Sequence, residues 1–334
     1  MVLGCALLSS CAAPPVRWDF VECPSPTGSS LRGLAAFGER EAIVSGEGGI
    51  VLSTRDGGET WAPVGPREAS GLDLRSLAAV DQRRFAVASA GAPARIYATA
   101  DGGRTWVRAF EDTRPSAFLD SLAFDGNGRG VALGDPIEGR FSVLVTRDGG
   151  ITWHDLQEAA PRAVEGEAAF AASSGCVALP AGRVLCFVTG GARSRALLSR
   201  DDGATWAPAG LPIEHGSPSK GAFAVAFADE RRGVALGGDY ADLSRPGSAA
   251  FTRDGGRTWR AAAIPPSGFR SSVAALPEEG VFVAVGPAGS SLSRDGGRTW
   301  TRLSALGFHV VRAAPDGAVW AAGSGGRIAR LRRR

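Results

Sequence analysis

The side chains with the most chemistry to offer are charged residues that return at one phase of a repeating pattern. Arg32 and Arg75 hold equivalent places in two similar stretches that begin at Leu31 and Leu74. Asp120 holds that place in a third stretch, Glu167 lies close to it in a fourth, and Arg270 is one residue off it in a sixth. A second set precedes other short apolar runs: Glu47, Arg95, Asp135, Glu138, Arg140, Asp239 and Tyr240. A guanidinium offers a planar fork of N–H donors that matches a carboxylate, so these residues, if convergent, would clasp an anionic or hydroxyl-rich ligand. The competing expectation is that the charges neutralise one another along a wet channel. A metal site is not expected: His154, His215 and His309 are the only histidines, and no Cys-x-x-Cys is present. No Gly-x-Gly-x-x-Gly opens a helix after a strand, so no dinucleotide and no other cofactor is expected.

The elements that must position these residues are marked by Ser53-Thr54-Arg55-Asp56-Gly57-Gly58-Glu59-Thr60-Trp61 and its copies. Six stretches fit Ser/Thr, any residue, Asp, any residue, Gly, any residue, Thr, Trp, with the acid at Asp56, Asp101, Asp148, Asp201, Asp254 and Asp295. The spacings, by subtraction, are 45, 47, 53, 53 and 41 residues, the period of a stacked supersecondary unit. Gly supplies the positive φ of a tight hairpin, while Asp and the flanking hydroxyls bond the turn's own backbone. This motif resembles the Asp-box, or BNR repeat, and the chain from residue 18 onward resembles Asp-box β-propellers. A feature repeated in every unit serves the scaffold, so the boxes are read as fasteners rather than ligand sites.

Each repeat reads as three short strands (A, B and C), the box, and a fourth strand (D). In the first repeat A is Leu31 to Ala36, B Glu41 to Ser45, C Ile50 to Ser53 and D Trp61 to Val64; further repeats are placed at Leu74, Leu119, Ala168, Phe223 and Ser272. Val310 to Ala314, Ala318 to Ala322 and Arg327 to Leu331 look like A, B and C with no box after them, and Val16 to Val21 like a D strand with no box before it. Joined, they make a seventh blade and leave no exposed edge. The expected fold is therefore an all-β, seven-bladed propeller closed by its two ends, with a six-bladed ring and loose ends as the alternative. Strand A starts and B–C loops would share the face opposite the boxes. There Arg32, Arg75, Arg95, Asp120, Asp135, Arg140, Glu167, Asp239, Tyr240 and Arg270 are expected to line the channel mouth.

Phe118 to Phe124, Gly134-Asp135-Pro136, Gly166 to Ser173 and Gly237-Gly238-Asp239-Tyr240 resemble bacterial relatives of the photosystem II stability/assembly factor family. Those relatives are often labelled oxidoreductase, yet the family's known assembly factors are chaperone-like binders of membrane-protein partners. The resemblance implies a non-catalytic binding propeller with a protein partner. Sialidases also carry Asp-boxes and use an Arg triad, a Tyr–Glu pair and an Asp acid/base. Arg32, Arg75 and Arg270 with Tyr240, Glu167 and Asp120 supply those types. However, Leu31-Arg32-Gly33-Leu34 departs from the sialidase Phe/Tyr-Arg-Ile-Pro motif, so a glycoside hydrolase acting on an acidic sugar is the alternative reading.

Residues 1–15 read as a lipoprotein-like signal and tether, because Leu8-Ser9-Ser10-Cys11 resembles the site at which a bacterial lipoprotein is cleaved and acylated on Cys. The expectation is an extracytoplasmic, lipid-anchored monomer, with the propeller spanning 16–331 and a basic tail at 332–334. Net charge is only +3, which gives no electrostatic case for nucleic acid. Cys176 and Cys186 flank a predicted turn at Pro180-Ala181-Gly182 and are open to two readings, a disulfide or two unpaired core thiols.

Overall fold

The structure is a computed structural model that describes residues 18–333. Short buried runs such as Ala42–Gly46 and Val51–Thr54, rich in small and β-branched residues and bounded by glycine turns, pair into seven antiparallel sheets arranged as the blades of a propeller. Six sheets have four strands in A-B-C-D order and one has six. In blade 1 the strands are Leu31–Ala36, Ala42–Gly46, Val51–Thr54 and Ala62–Pro63. Blade 7 takes Val310–Ala313, Val319–Ala322 and Ile328–Arg333 from the C-terminal end and Trp18–Cys23 from the other end. The closing register runs from Trp18 opposite Arg333 to Cys23 opposite Ile328. Val16 and Arg17, also expected in this strand, lie outside the described residues. Arg332 and Arg333, expected in a basic tail, instead continue the third strand, because Asp19 and Trp18 pair with them.

The core is distributed between blades rather than gathered at one centre. Leu34, Val44 and Leu52 of blade 1 pack on Trp320, Ala322 and Ile328 of blade 7, and comparable clusters fill the other blade junctions. Aliphatic side chains make up most of these clusters, with aromatic pairs among them, as where Trp61 meets Trp320 edge-on at 6.1 Å.

The six Asp turns share one bonding scheme. At Asp101 the carboxylate accepts the Thr105 N–H (2.9 Å) and the Thr105 hydroxyl (2.6 Å), while Thr99 donates to it at 2.9 Å and accepts the Gly103 N–H at 3.0 Å. Gly102 and Gly103 sit at φ 78° and 84°. Each box is also tied to the A–B turn of its own blade, for example Gly57 N–H to Arg40 O at 2.9 Å and Gly102 N–H to Arg83 O at 2.9 Å. The boxes and the A–B turns therefore share one face.

Blade 4 departs from the expected register. The sequence pattern puts its A strand at Ala168, but the inner strand is Val177–Ala178, followed by Leu185–Val188, Arg195–Ser199 and Ala207–Gly210. Glu167–Ala168 pairs instead with Gly190–Gly191, which bridges to blade 5 through Gly190 opposite Gly221. That crossing needs two glycines, since a Cβ on Gly190 would lie 2.6 Å from the Gly221 Cα. Cys176 and Cys186 are both free and buried: Cys186 pairs with Ala178, and Cys176 accepts the Val188 N–H through its carbonyl. Burial pushes the Cys186 thiol up to about 12 and the Cys176 thiol higher still, so both stay protonated.

Candidate functional site

The residues between the displaced strand and blade 4 proper form a strap across the central channel. Ala169 N–H bonds Asp135 Oδ1 of blade 3 at 3.1 Å, and Ala172 O accepts Arg32 Nη1 of blade 1 at 3.0 Å. Ser173 Oγ donates to Ser271 O beside blade 6 at 2.8 Å. Ser174 Oγ accepts the Leu77 N–H of blade 2 at 2.9 Å and bonds Ser76 Oγ at 2.7 Å, while its carbonyl accepts Arg312 Nη2 of blade 7. Gly175 O takes the Val225 N–H of blade 5 at 2.8 Å. The strap is thus tied across the channel to six other blades, and Ala-Ala-Ser-Ser-Gly suits the narrow space because none of its side chains is large.

On the face opposite the boxes, the starts of the A strands carry β-bulges. The register slips between Leu31 and Gly33 in blade 1, between Leu119 and Ser121 in blade 3, and between Ala222 and Ala224 in blade 5. Each bulge places one unpaired residue, Arg32, Asp120 or Phe223, where its side chain is re-aimed. This explains why charge is tolerated at positions that otherwise read as inner strand.

Four of the ten expected residues share one electrostatic neighbourhood: Arg32, Arg75, Asp120 and Asp135. Burial, and then the neighbouring Arg75, pull the Arg32 guanidinium down from its usual range, against the pull of Asp73 and Glu47. Arg32 makes its bond to a carbonyl, and its buried Nε has no acceptor. Arg75 is held by Asp73 at 2.6 Å. Asp120 is only 1 % exposed and its Oδ2 has no partner. Burial and then Asp135 raise its pKa well above the carboxylate range, with Arg75 pulling the other way. Burial also raises Asp135, offset by the Ala169 N–H.

His309 belongs to this neighbourhood and was not among the expected site residues. Burial and then Arg32 and Arg75 push it down to about 4, so it is neutral at physiological pH. Its place just before the blade 7 inner strand, the phase of Arg75 before blade 2, was the signal in the sequence.

The other six expected residues lie elsewhere. Glu167 is spent on Arg195, Thr189 and the Val164 N–H. Arg95 pairs with Glu111 of its blade's outermost strand at 2.6 Å, and Arg140 with Glu158 and the Ala160 carbonyl, both directed away from the channel. Arg270 is 1 % exposed and donates to Ser291 Oγ (2.9 Å) and Phe269 O (2.9 Å), while burial and then the nearby Arg302 lower it to about 10. Asp239 accepts the Ala241 N–H at 2.9 Å and starts the loop that carries Tyr240. Tyr240 is 50 % exposed and caps an aromatic group in which Phe170 stacks on Phe223 at 3.9 Å and Phe223 meets Phe269 edge-on at 4.7 Å. Because Phe170 belongs to the strap, the aromatic group and the cationic mouth are joined by a single segment. Among the described residues no hydrogen bond links Tyr240 to Glu167, so the Tyr–Glu pair a sialidase-like hydrolysis would need is not assembled.

Comparison with known proteins places the fold. No family model matches the chain, and no curated protein matches it. Among solved structures, YCF48 bound to D1 peptide superposes with a TM-score of 0.65 at 19 % identity, over 94 % of this chain and 96 % of that one. YCF48 from Cyanidioschyzon merolae gives 0.66 at 18 % identity, over 94 % and 98 %. The structure of U3-55K gives 0.67 at 12 % identity, over 94 % and 98 %. At these identities the likeness establishes a shared propeller fold, in agreement with the resemblance read from the sequence.

Proposed function

We propose that this chain is a non-catalytic binding propeller that captures a protein partner by a carboxylate group at the strap-side channel mouth. The observation that carries this reading is Arg32, a half-buried guanidinium with an unpartnered Nε, beside Arg75 and a neutral His309 and with no carboxylate in an ion pair with it among the described residues. A cation held in this state is an incomplete ion pair, and an incoming carboxylate would complete it. The half-exposed Tyr240 and its aromatic neighbours supply adjacent area of the kind that anchors protein interfaces. The YCF48 structure solved with a D1 peptide shows that a propeller of this fold can hold a peptide, which supports the same reading here. The Leu8-Ser9-Ser10-Cys11 ending supports an extracytoplasmic location with a lipid anchor on Cys11, in a stretch outside the described residues. A membrane protein partner and a monomeric propeller follow from that reading.

Capture of partner protein from native membranes tests the proposal. Wild type should retain a partner reproducibly, and Arg32→Gln should retain much less. Equal recovery by both would refute the role given to Arg32. Turnover of a fluorogenic sialoside that disappears in Tyr240→Phe would replace binding with hydrolysis. Intact mass of the native protein tests the anchor, since an unprocessed Met1 terminus excludes it.

A further inference from the structure

The strap divides the channel, and the half that opens among the boxes has its own character. It encloses a cavity of 860 Å³. The strand registers show what lines it. One A-strand residue from each blade, the one paired with the second residue of strand B, lines it: Ala35 opposite Ile43, Ala78 opposite Ala86, Ala123 opposite Val131, Ala178 opposite Cys186, Ala226 opposite Val234, and Ala274 opposite Val283. Blade 7 puts Arg312 at that position, opposite Trp320. Six alanines and one arginine therefore form a ring, and all seven residues line the cavity.

Arg312 stands at the closed end, beside Ser174 and Gly175 of the strap. It donates through Nη1 to Val311 O (2.9 Å) and Ser272 Oγ (3.3 Å), and through Nη2 to Ser174 O. Of the five N–H groups of a guanidinium, its Nε–H and one Nη2–H are left without a protein acceptor. Among the described residues no carboxylate comes within ion-pair distance of it. Burial lowers its pKa only to about 10, so it remains charged at neutral pH. The carboxylates at the cavity rim are already engaged: Asp81 bonds Arg84 at 2.7 Å, and Asp125 accepts the Arg129 and Asn127 N–H groups. Gln82 and Arg83 complete the polar rim, while Leu34, Leu77, Leu122, Val225 and Val273 continue the apolar wall.

Six of the seven equivalent positions carry alanine, so the half-buried cation at the seventh is not a requirement of the repeat. We propose that the box-face half of the channel is a binding site for an amphiphilic monoanion, a carboxylate on an aliphatic chain, with the carboxylate on Arg312 and the chain against the alanine ring. One unpaired cation calls for one negative charge, and a fork of two free donors suits a carboxylate. The cavity lies within the roughly 300–1,000 Å³ typical of small-molecule pockets, most of which are apolar with a few fixed polar groups. This site is separate from the Arg32 mouth, which lies on the other side of the strap.

Calorimetric titration of the full chain with sodium decanoate, and with 1-decanol as the uncharged counterpart, tests this. Wild type should bind decanoate at least tenfold more tightly than decanol. Arg312→Gln should lose that preference while still binding decanol, and Ala226→Phe, which adds bulk to the ring from blade 5 rather than blade 7, should block both. If Arg312→Gln proves unstable, Arg312→Lys keeps the charge and should keep the preference, while Ala226→Phe still reports on the cavity. Absence of decanoate binding to wild type, or an unchanged preference in Arg312→Gln, would overturn the proposal and leave Arg312 as a brace for the strap.

Discussion

Asp120 is a carboxyl group that the fold buries with its Oδ2 unpartnered, and its behaviour with pH follows from that. Its folded pKa is raised, first by burial and then by Asp135. The unfolded chain therefore ionises it near the ordinary value of about 3.9 while the folded chain still holds the proton. Its contribution to stability is intact below that pH and is lost as pH rises toward the folded value. Replacing Asp120 with Asn removes the ionisation. Asp120→Asn should unfold at higher denaturant than wild type at pH 7, because ionisation of this side chain in the unfolded chain then no longer competes with folding. The advantage should vanish near pH 3.5, and equal midpoints at both pH values would contradict this account. Arg32 and Asp120 were legible as candidates because charge on an inner strand stands out. Arg312 was not, because a single Arg in a Val-Val-Arg-Ala-Ala run looks like an edge residue until the register places it in a ring of alanines.

The boxes work with the opposite sign. Thr105 and the backbone around it hold the Asp101 carboxylate down at about 2, and Thr205 does the same for Asp201. A depressed folded pKa gives stability that is present above the unfolded value and lost as pH falls through the folded one. Asp101→Asn and Asp201→Asn should each melt below wild type at pH 7, with the difference closing as pH approaches 2; a difference that persists there would show that the carboxylate charge is not what the turn uses. At this scale the sequence revealed the six turns because Asp, Gly, Thr and Trp are each required locally. The strap reads as a strand in the sequence for the reverse reason. Glu167-Ala168-Ala169-Phe170-Ala171 carries a strand-like apolar run, and what draws it across the channel is a set of bonds to Asp135, Arg32, Ser76 and Arg312, all distant in sequence.

For the whole molecule, ring closure depends on one short strand. Phe20 is 4 % exposed and lies 4.8 Å from the ring of Phe308, joining the N-terminal strand to the junction of blades 6 and 7. Phe20→Ala should cost about 3–5 kcal/mol in equilibrium unfolding, as large-to-small aromatic changes in cores do. A loss below 1 kcal/mol would mean that the closure is not under load. The closed ring was legible because each end lacked what the other had: three strands with no box at one, a strand with no box before it at the other. The position of a partner-binding site was only partly legible, since Arg95 and Arg140 share the phase of the B–C loops but are drawn outward by Glu111 and Glu158.

The claim that the Arg32 mouth is a binding site rather than a structural charge cluster is tested most directly by measuring partner capture and thermal stability together for wild type, Arg32→Lys and Arg32→Gln. The account predicts that Arg32→Gln loses most of the captured partner while its Tm stays close to wild type, because no carboxylate of the protein is orphaned by the change, and that Arg32→Lys retains part of the capture. A large fall in Tm with capture proportional to the folded fraction would contradict it, and would make Arg32 a support for the strap through Ala172.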